Sequence, residues 1–530
     1  MLARIRHWFL QPLLFLCLIA GLSAIVVQSG ELGSSDTTHR LQATHSFWTQ
    51  EPPVFPQEYP EFGVHGRGGK LYGWFGIGQS LLMLPGDILG TGLERLPVFA
   101  DYNGNDPEVR SIVVSYSTNI LVNILTALAC FHFLRLLSFS TKQAATGVLA
   151  LLLCTTHLHY TQNMMENNYI MLLTLVGLAF QYDWLRTGNR RALLMGSAGF
   201  GLNLLTRLTT GMDLVAGGVF LLLVLWFEHV RRPQLWGRLA TYCKIALPVY
   251  AIFLLIDRLY QYYRFGSFFH TYVSVVAQEY KRLNPALPAN YPWETPFYVG
   301  FLGPLISPAK SIFLFDPLLV LTILLALVTW QHFSPEIKAY IVTALLLLLI
   351  YMSFYARYTV WSGDSAWGDR YVSTAVELAA FISVPLLLRY RQNVGKFVGA
   401  VAPALMVISG VIQLASLAFW LPLEIYQMEA LGHPTLVVAL RFKNIVGFVL
   451  GRVDQWSLIT QVMTEDPWDY VHITTWNFLP FVLRRVGAAP SWAVDTAFAI
   501  WMVSLAALLW TLWRLYKLLR TDDSISLSGC

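Results

Sequence analysis

Charged residues are scarce in this sequence. Only 13% of its 530 residues are Asp, Glu, Lys or Arg, where an average soluble domain carries about a quarter. So little charge cannot cover a water-facing globule of this length, which argues against a soluble enzyme. The small basic excess, a formal net charge of +5, lies in short loops beside apolar runs, a topogenic pattern and not a nucleic-acid surface. Cysteine is scarce as well. Cys17, Cys130, Cys154 and Cys243 lie in or at the ends of apolar segments and Cys530 is the last residue. None falls in a long loop, so neither a disulfide framework nor a Cys-based metal site is expected. The sequence has no Asn-x-Ser/Thr sequon, which favours a bacterial over a secretory-pathway protein. It also has no clear internal repeat and no extramembrane stretch the size of a soluble domain.

What the sequence does have is apolar length. Hydrophobic residues make up 55% of the chain and its mean hydropathy is +0.52, gathered in repeated runs of roughly twenty residues. Backbone polar groups in a bilayer must pair within their own segment, so such runs are helices. The expected fold class is an all-α polytopic membrane protein, with about twelve transmembrane helices and long outer loops carrying short interfacial helices. Spans are expected near 8–28, 110–134, 143–160, 168–185, 192–206, 212–228, 242–256, 311–330, 338–356, 371–388, 397–419 and 493–512. Arg4 and Arg6, Arg135 and Lys142, Arg186 to Arg191, Arg231 to Arg238, Lys338, Arg389 to Lys396, and Arg514 to Arg520 then share one side. The three long loops, 30–108, 257–310 and 420–490, share the other. The positive-inside rule makes the basic side cytoplasmic, with both termini, and the long-loop side outer. Residues 1–30 resemble a signal peptide, but the run from Trp8 to Val27 is long for one and is expected to be retained.

Three further elements are expected. Asp36 to Trp48 forms a short helix with Ser34 or Ser35 as N-cap and Asp36 in its first turn. Leu71 to Leu89, apolar but broken by glycines and Pro85, is interfacial or re-entrant. Residues 434–452, apolar but carrying Arg441, Lys443 and Arg452, form an interfacial amphipathic helix.

Ionisable groups at the outer ends of spans are costly unless paired or used, and topology could bring them to one cavity. Asp36, just past the first span, suits a general base that takes a proton from an acceptor hydroxyl or amine; it equally suits a first-turn acid complementing the helix dipole. Arg207, Lys310 and Arg370 come from three separate stretches. Arg offers a bidentate fork and Lys a point charge to a phosphate; lipid headgroups, or a structural pair of Arg207 with Asp213, are the plainer alternatives. In the loop Trp361 to Arg370, Gly363 and Gly368 permit tight turns. Trp361 and Trp367 can stack on a sugar or belong to the aromatic belt, and Asp364 and Asp369 supply polar contacts. Glu166, with His157 and His159 nearby, is a second carboxylate or a metal contact, although the spacing fits no standard zinc motif.

Four stretches resemble the GT-C superfamily of membrane glycosyltransferases, most closely its bacterial protein mannosyltransferase and aminoarabinose transferase-like group. They are Ser35-Asp36-Thr37-Thr38-His39-Arg40; Gly68-Gly69-Lys70-Leu71-Tyr72 running on to Gly78-Gln79-Ser80-Leu81-Leu82 ahead of Pro85; Asn203-Leu204-Leu205-Thr206-Arg207; and Ser307-Pro308-Ala309-Lys310 paired with Trp361-Ser362-Gly363-Asp364-Ser365-Ala366-Trp367-Gly368-Asp369-Arg370-Tyr371. The resemblance implies an outer-face site that moves a sugar, with inversion, from a polyprenyl-phosphate donor to a lipid, glycan or protein acceptor. It implies Asp36 as the catalytic residue and Arg207, Lys310 and Arg370 as donor-phosphate contacts. Arg40, Lys70, Tyr72, Glu166, Trp361, Asp364, Trp367 and Asp369 complete the expected substrate-binding set. No cofactor is required, a divalent metal stays open, and the setting is the bacterial inner membrane. Residues 1–420 would form the catalytic module, and 421–530 an outer loop with interfacial helices and the last span. The chain departs from the group's pattern at Thr37, where Glu is common after the Asp, at Asp364, where a second Gly is usual, and at Asp369, often Pro. An inactive relative or a lipid or solute transporter is the alternative; a transporter would show mid-span charges and paired repeats.

Overall fold

The computed structural model describes residues 2–55, 63–102, 104–364, 366–420, 422–452 and 475–527. The regular secondary structure of the described chain is almost entirely helical. In order, the helices are α1 (Leu2–Val27), α2 (Ser35–His45), α3 (Ile77–Glu94), α4 (Val109–Leu136), α5 (Thr141–Cys154), α6 (His157–Gln162), α7 (Asn167–Thr187), α8 (Arg190–Thr206), α9 (Gly211–Phe227), α10 (Arg232–Phe265) and α11 (Tyr272–Leu283). They continue as α12 (Phe297–Ile306), α13 (Ile312–Phe315), α14 (Leu318–Thr329), α15 (Pro335–Tyr355), α16 (Ser373–Phe381), α17 (Ser383–Arg389), α18 (Lys396–Ser416), α19 (Pro422–Leu431), α20 (Val437–Val449), α21 (Leu479–Val486) and α22 (Ser491–Leu527). One hairpin interrupts them: β1 (Gly63–His65) pairs antiparallel with β2 (Leu71–Gly73), Val64 opposite Tyr72.

Helices occupy the expected spans, yet among the described residues only six segments are long and apolar enough to cross a membrane: Val109–Leu136, Leu208–Phe227, Pro233–Phe265, Pro335–Tyr355, Lys396–Ser416 and Ser491–Arg520. Others are shorter; α5 has 14 residues and α14 has 12, below the roughly 17–25 that a hydrocarbon core demands. The segment expected at 371–388 is two helices, broken at Ile382. The core lies among α4, α5, α7, α9, α14, α15 and α16, centred on Phe133, Tyr182, Phe220 and Tyr340. At the edges α10 exposes Leu247, Ile252, Leu255 and Leu259, and α22 exposes Ile500, Val503 and Leu509. Apolar faces that large suit hydrocarbon, not water, and the chain is an integral membrane protein.

Leu71 to Leu89 is a strand followed by helix α3, which small residues let pack closely: a side chain at Gly86 would meet Ser117 and Val114 of α4, and one at Gly78 would meet Thr206 of α8, while Leu81, Ile88 and Leu89 stay exposed. Within 434–452 helix α20 exposes Lys443 and the apolar Val446, Val449 and Leu450, and turns Arg441 and Asn444 inward. Arg441 is fully buried, donating to Glu424 at 2.6 Å and to the carbonyls of Ser416 and Phe419 at 3.1 and 2.8 Å. Asn444 joins Glu424 to Gln427.

Removing one partner of a buried ion pair leaves the other uncompensated. Arg441→Ala should therefore cost about 3–5 kcal/mol, whereas replacing Arg441 and Glu424 together by Met and Leu should cost far less. Thermal unfolding in detergent measures both.

Candidate functional site

Helix α2 begins where an extended residue, Ser34, accepts a hydrogen bond from Thr37 N–H at 3.3 Å. Asp36 therefore lies in the first turn and Arg40 one turn on, on the same face. Three anchors fix the helix: Thr37 Oγ1 donates to Met164 O at 2.9 Å, Thr44 Oγ1 to Ser80 O at 3.1 Å, and His45 Nδ1 lies 3.1 Å from the buried Asp87 carboxylate, which also accepts from Trp48 Nε1 at 2.7 Å.

Glu166 sits in the turn between α6 and α7, only 2% exposed. Its Oε2 is 2.8 Å from Arg40 Nη2, and its Oε1 accepts from Arg207. Arg207 is the extended residue that ends α8, so its guanidinium leaves the helix and turns to Glu166; Asp213 instead accepts from Tyr351 O–H at 2.6 Å. Arg370 completes the group, its Nη1 donating to Asp36 Oδ2 at 2.7 Å. Asn167, beside Glu166, holds the Arg370 carbonyl at 2.8 Å and Ser373 Oγ at 2.6 Å. Aromatic faces back the cations. Arg207 and Arg370 lie 5.3 and 5.4 Å from the centre of the Tyr371 ring, and Arg40 lies 4.2 Å from that of Phe75, distances at which a guanidinium gains from the ring quadrupole.

Asp36, Arg40, Glu166, Arg207 and Arg370, from four separate stretches of chain, thus form one cluster. Burial pushes the Glu166 carboxyl up, but Arg207, Arg40 and Arg370 outweigh it and hold it well below the usual carboxylate range. A carboxyl depressed in this way keeps its contribution to stability at every pH above the ordinary carboxylate range and loses it only in strong acid. Asp36 and Arg370 are the open side, 17% and 13% exposed. Among the described residues, Arg40 Nη1 and Arg370 Nε have no hydrogen-bond partner. Tyr371 also walls a cavity of about 560 Å³, with Tyr355, Tyr358, Phe354, Met212 and Trp293, partly roofed by Val273 and Ala277 of α11. The tyrosine floor is stacked: Tyr355 and Tyr371 lie 4.3 Å apart and 11° from parallel.

Solved structures similar to the chain include two enzymes. The Archaeoglobus fulgidus oligosaccharyltransferase in its apo form is 13% identical, with a TM-score of 0.44; the match covers 78% of this chain and 56% of that one. The chain thus spans little more than half the length of that enzyme. ArnT from Cupriavidus metallidurans, solved with undecaprenyl phosphate bound, is 11% identical, with a TM-score of 0.40, over 94% of this chain and 77% of that one. No family model and no curated protein matches the sequence.

The other expected site residues lie elsewhere. Lys310 is buried and donates to the carbonyls of Asp364, Ala366 and Gly368 at 2.6, 2.8 and 3.0 Å. An ammonium has three protons, so Lys310 is fully engaged in shaping the loop. Burial lowers its pKa and raises that of the neighbouring Asp369. The loop needs that brace because Gly363, Asp364 and Gly368 all have positive φ, and a side chain at Gly363 would meet the Arg370 backbone. Trp367 is fully buried against His159 and Phe315, which removes it as a sugar platform. Tyr72 is buried in the hairpin beside Tyr263 and Phe265, and Asp369 is buried with Oδ1 accepting from Tyr371 N–H. Trp361 packs over Gly303, while Lys70 and Asp364 are exposed. Sequence reasoning missed Tyr371 and Phe75 as backing for the guanidiniums, and Tyr355 stacked behind Tyr371; the Arg370-Tyr371 pair was the available signal. Among the described residues no three His, Cys, Asp or Glu side chains gather as a metal-sized group.

Lys310→Met should release the loop that carries Arg370 while leaving helix α2 in place. Amide exchange across residues 363–370 should accelerate by about tenfold or more, since each lost bond to a charged donor is worth about 1.5–3 kcal/mol, while exchange in α2 stays unchanged. Hydrogen-exchange mass spectrometry in detergent reads both.

Proposed function

We propose that this chain is a membrane glycosyltransferase that moves a sugar from a polyprenyl-phosphate donor to an acceptor at the outer face of the bacterial inner membrane. The observation that carries the reading is the contact of Asp36 with Arg370 inside a cluster of three guanidiniums, beside an aromatic cavity that shares Tyr371. Guanidiniums suit the planar recognition of phosphate oxygens, and the aromatic cavity suits the first isoprene units of the lipid. The fold likeness to an ArnT solved with undecaprenyl phosphate is in keeping with such a ligand. About twelve crossings, with both termini cytoplasmic, belong to the same reading.

Each residue then has a task. Arg370 and Arg207, held over Tyr371, receive the donor phosphate and stabilise the charge that grows on it as the bond from the anomeric carbon to the phosphate oxygen breaks. A phosphate that takes Arg370 competes with Asp36 for the same guanidinium and frees the carboxylate. Asp36 then accepts the proton of the acceptor hydroxyl or amine as that atom bonds to the anomeric carbon from the opposite face. The products are the glycosylated acceptor and the polyprenyl phosphate. Lys310, Trp367 and Asp369 hold the Arg370 loop in shape and contact no substrate.

Asp36→Asn should lower transfer by about 10²–10⁴-fold, the usual contribution of a general base, with the folded state preserved. The assay follows radiolabelled polyprenyl-phosphate hexoses and pentoses in vesicles carrying the full chain. Full transfer by the variant would remove Asp36 from catalysis.

A further inference from the structure

A second cavity shares no residue with the tyrosine-walled one. Ile112 and Tyr116 of α4, Leu483 of α21, Ala493 and Ala497 of α22 and the turn at Phe99 wall it, and its volume is about 460 Å³. Ala493 and Ala497, one turn apart on α22, are too short to close the space before α4. The walls are apolar, and the hydroxyls of Tyr102 and Thr496 are spent on the carbonyls of Pro107 and Trp492, each at 2.7 Å. Such walls offer water few partners, and an empty space of this size forfeits the contacts of every group around it.

The cavity is continuous with the lipid-facing surface, because two of its wall residues, Trp492 and Ile500, are half exposed. It also follows the helix axes. Its walls run from Val109 to Ile120 on α4 and from Trp492 to Trp501 on α22, roughly 13–17 Å at a rise of about 1.5 Å per residue. That is about the depth of one leaflet of a ~30 Å hydrocarbon core. A methylene needs about the room of a water molecule, roughly 30 Å³, so the space takes about fifteen carbons in line. One acyl chain fits it, and a polyprenyl chain several times longer does not. The segments beside its wall residues Leu93, Tyr102, Leu483 and Ala493 carry groups of both signs, Arg95, Arg484 and Arg485 with Glu94, Asp101, Asp106 and Asp495. A headgroup that is itself a zwitterion complements such a rim.

We propose that this cavity is a binding site for one acyl chain of a zwitterionic phospholipid. The chain fills the gap between α4 and α22 and keeps α21 and α22 seated on the end of α1, where Leu479 N–H donates to Gln28 O at 2.8 Å and Trp501 Nε1 to Val26 O at 2.9 Å. A side chain at Gly30 would meet Leu479 and Ile112, both wall residues. The lipid therefore backs the segment that leads from α1 into α2 and Asp36.

The test uses the full chain in nanodiscs of phosphatidylethanolamine and phosphatidylglycerol. Each preparation holds, at equal mole fraction, one photoreactive probe: either phospholipid with a mid-chain diazirine, or a polyprenyl phosphate with a diazirine in its isoprenoid chain. Peptide mass spectrometry reads the label. The phosphatidylethanolamine probe should label Ile112 and Tyr116 severalfold more than Leu255 and Leu259, which α10 exposes. Ala497→Phe, which fills the cavity, should bring that labelling down to the α10 level and leave α10 unchanged, and Ala493→Phe should do the same. Equal labelling of α4 and α10 in the wild type, labelling that survives both fillings, or stronger cavity labelling by either other probe would overturn the assignment. The wild-type comparison stands even where a filled variant folds poorly.

Discussion

A carboxylate with both oxygens on arginines is the constraint on which the site depends. Glu166 ties Arg40 of α2 to Arg207 at the end of α8 from the turn that opens α7. Asp36, one turn before Arg40 on α2, pairs with Arg370. Charges this deeply placed are tolerable only when paired, so the positions of three helix ends and one loop become interdependent. The pairing also holds Arg370 and Asp36 at the surface of the cluster, where Glu166 itself is closed off.

A second layer of polar contacts supports the first. Lys310 braces the late loop through three carbonyls, and behind it Trp367 fills the space between His159 and Phe315. The guanidinium of Arg441 lies 5.3 Å from the Trp367 ring centre while pairing with Glu424. Helix α20 therefore reaches the site through one side chain and the indole it covers. A further buried link joins the helix junctions: Thr156 Oγ1 lies 3.0 Å from Asp316 and 2.9 Å from Glu377, connecting the start of α6 to α14 and α16. Precision at Arg370 is thus a property of the bundle, not of the loop alone.

Much of this was legible in the chain. Apolar runs marked the helices, because a bilayer leaves a spanning backbone no alternative partner. Ser34 and Asp36 marked the start of α2, because a helix N-terminus has orphan N–H groups to satisfy. Charges at the ends of apolar segments marked the cluster, because an ionisable group near a bilayer is rarely idle. Roles within the cluster were less legible. Lys310 and Trp367 look like ligand contacts by residue type, yet one turns inward to carbonyls and the other inward to rings. Arg441 looked interfacial by composition, yet its charge is satisfied inside the protein.

The sequence by itself determined that this is a helical membrane protein and which few charges had to be accounted for, since hydropathy and scarcity are local properties. Only the tertiary structure decided which of those charges meet. Asp36 and Arg370 are separated by most of the chain and lie 2.7 Å apart. No periodicity or spacing encodes that contact; it exists because α2, α7 and α8 pack with their ends together, and buried charge must find its partner there.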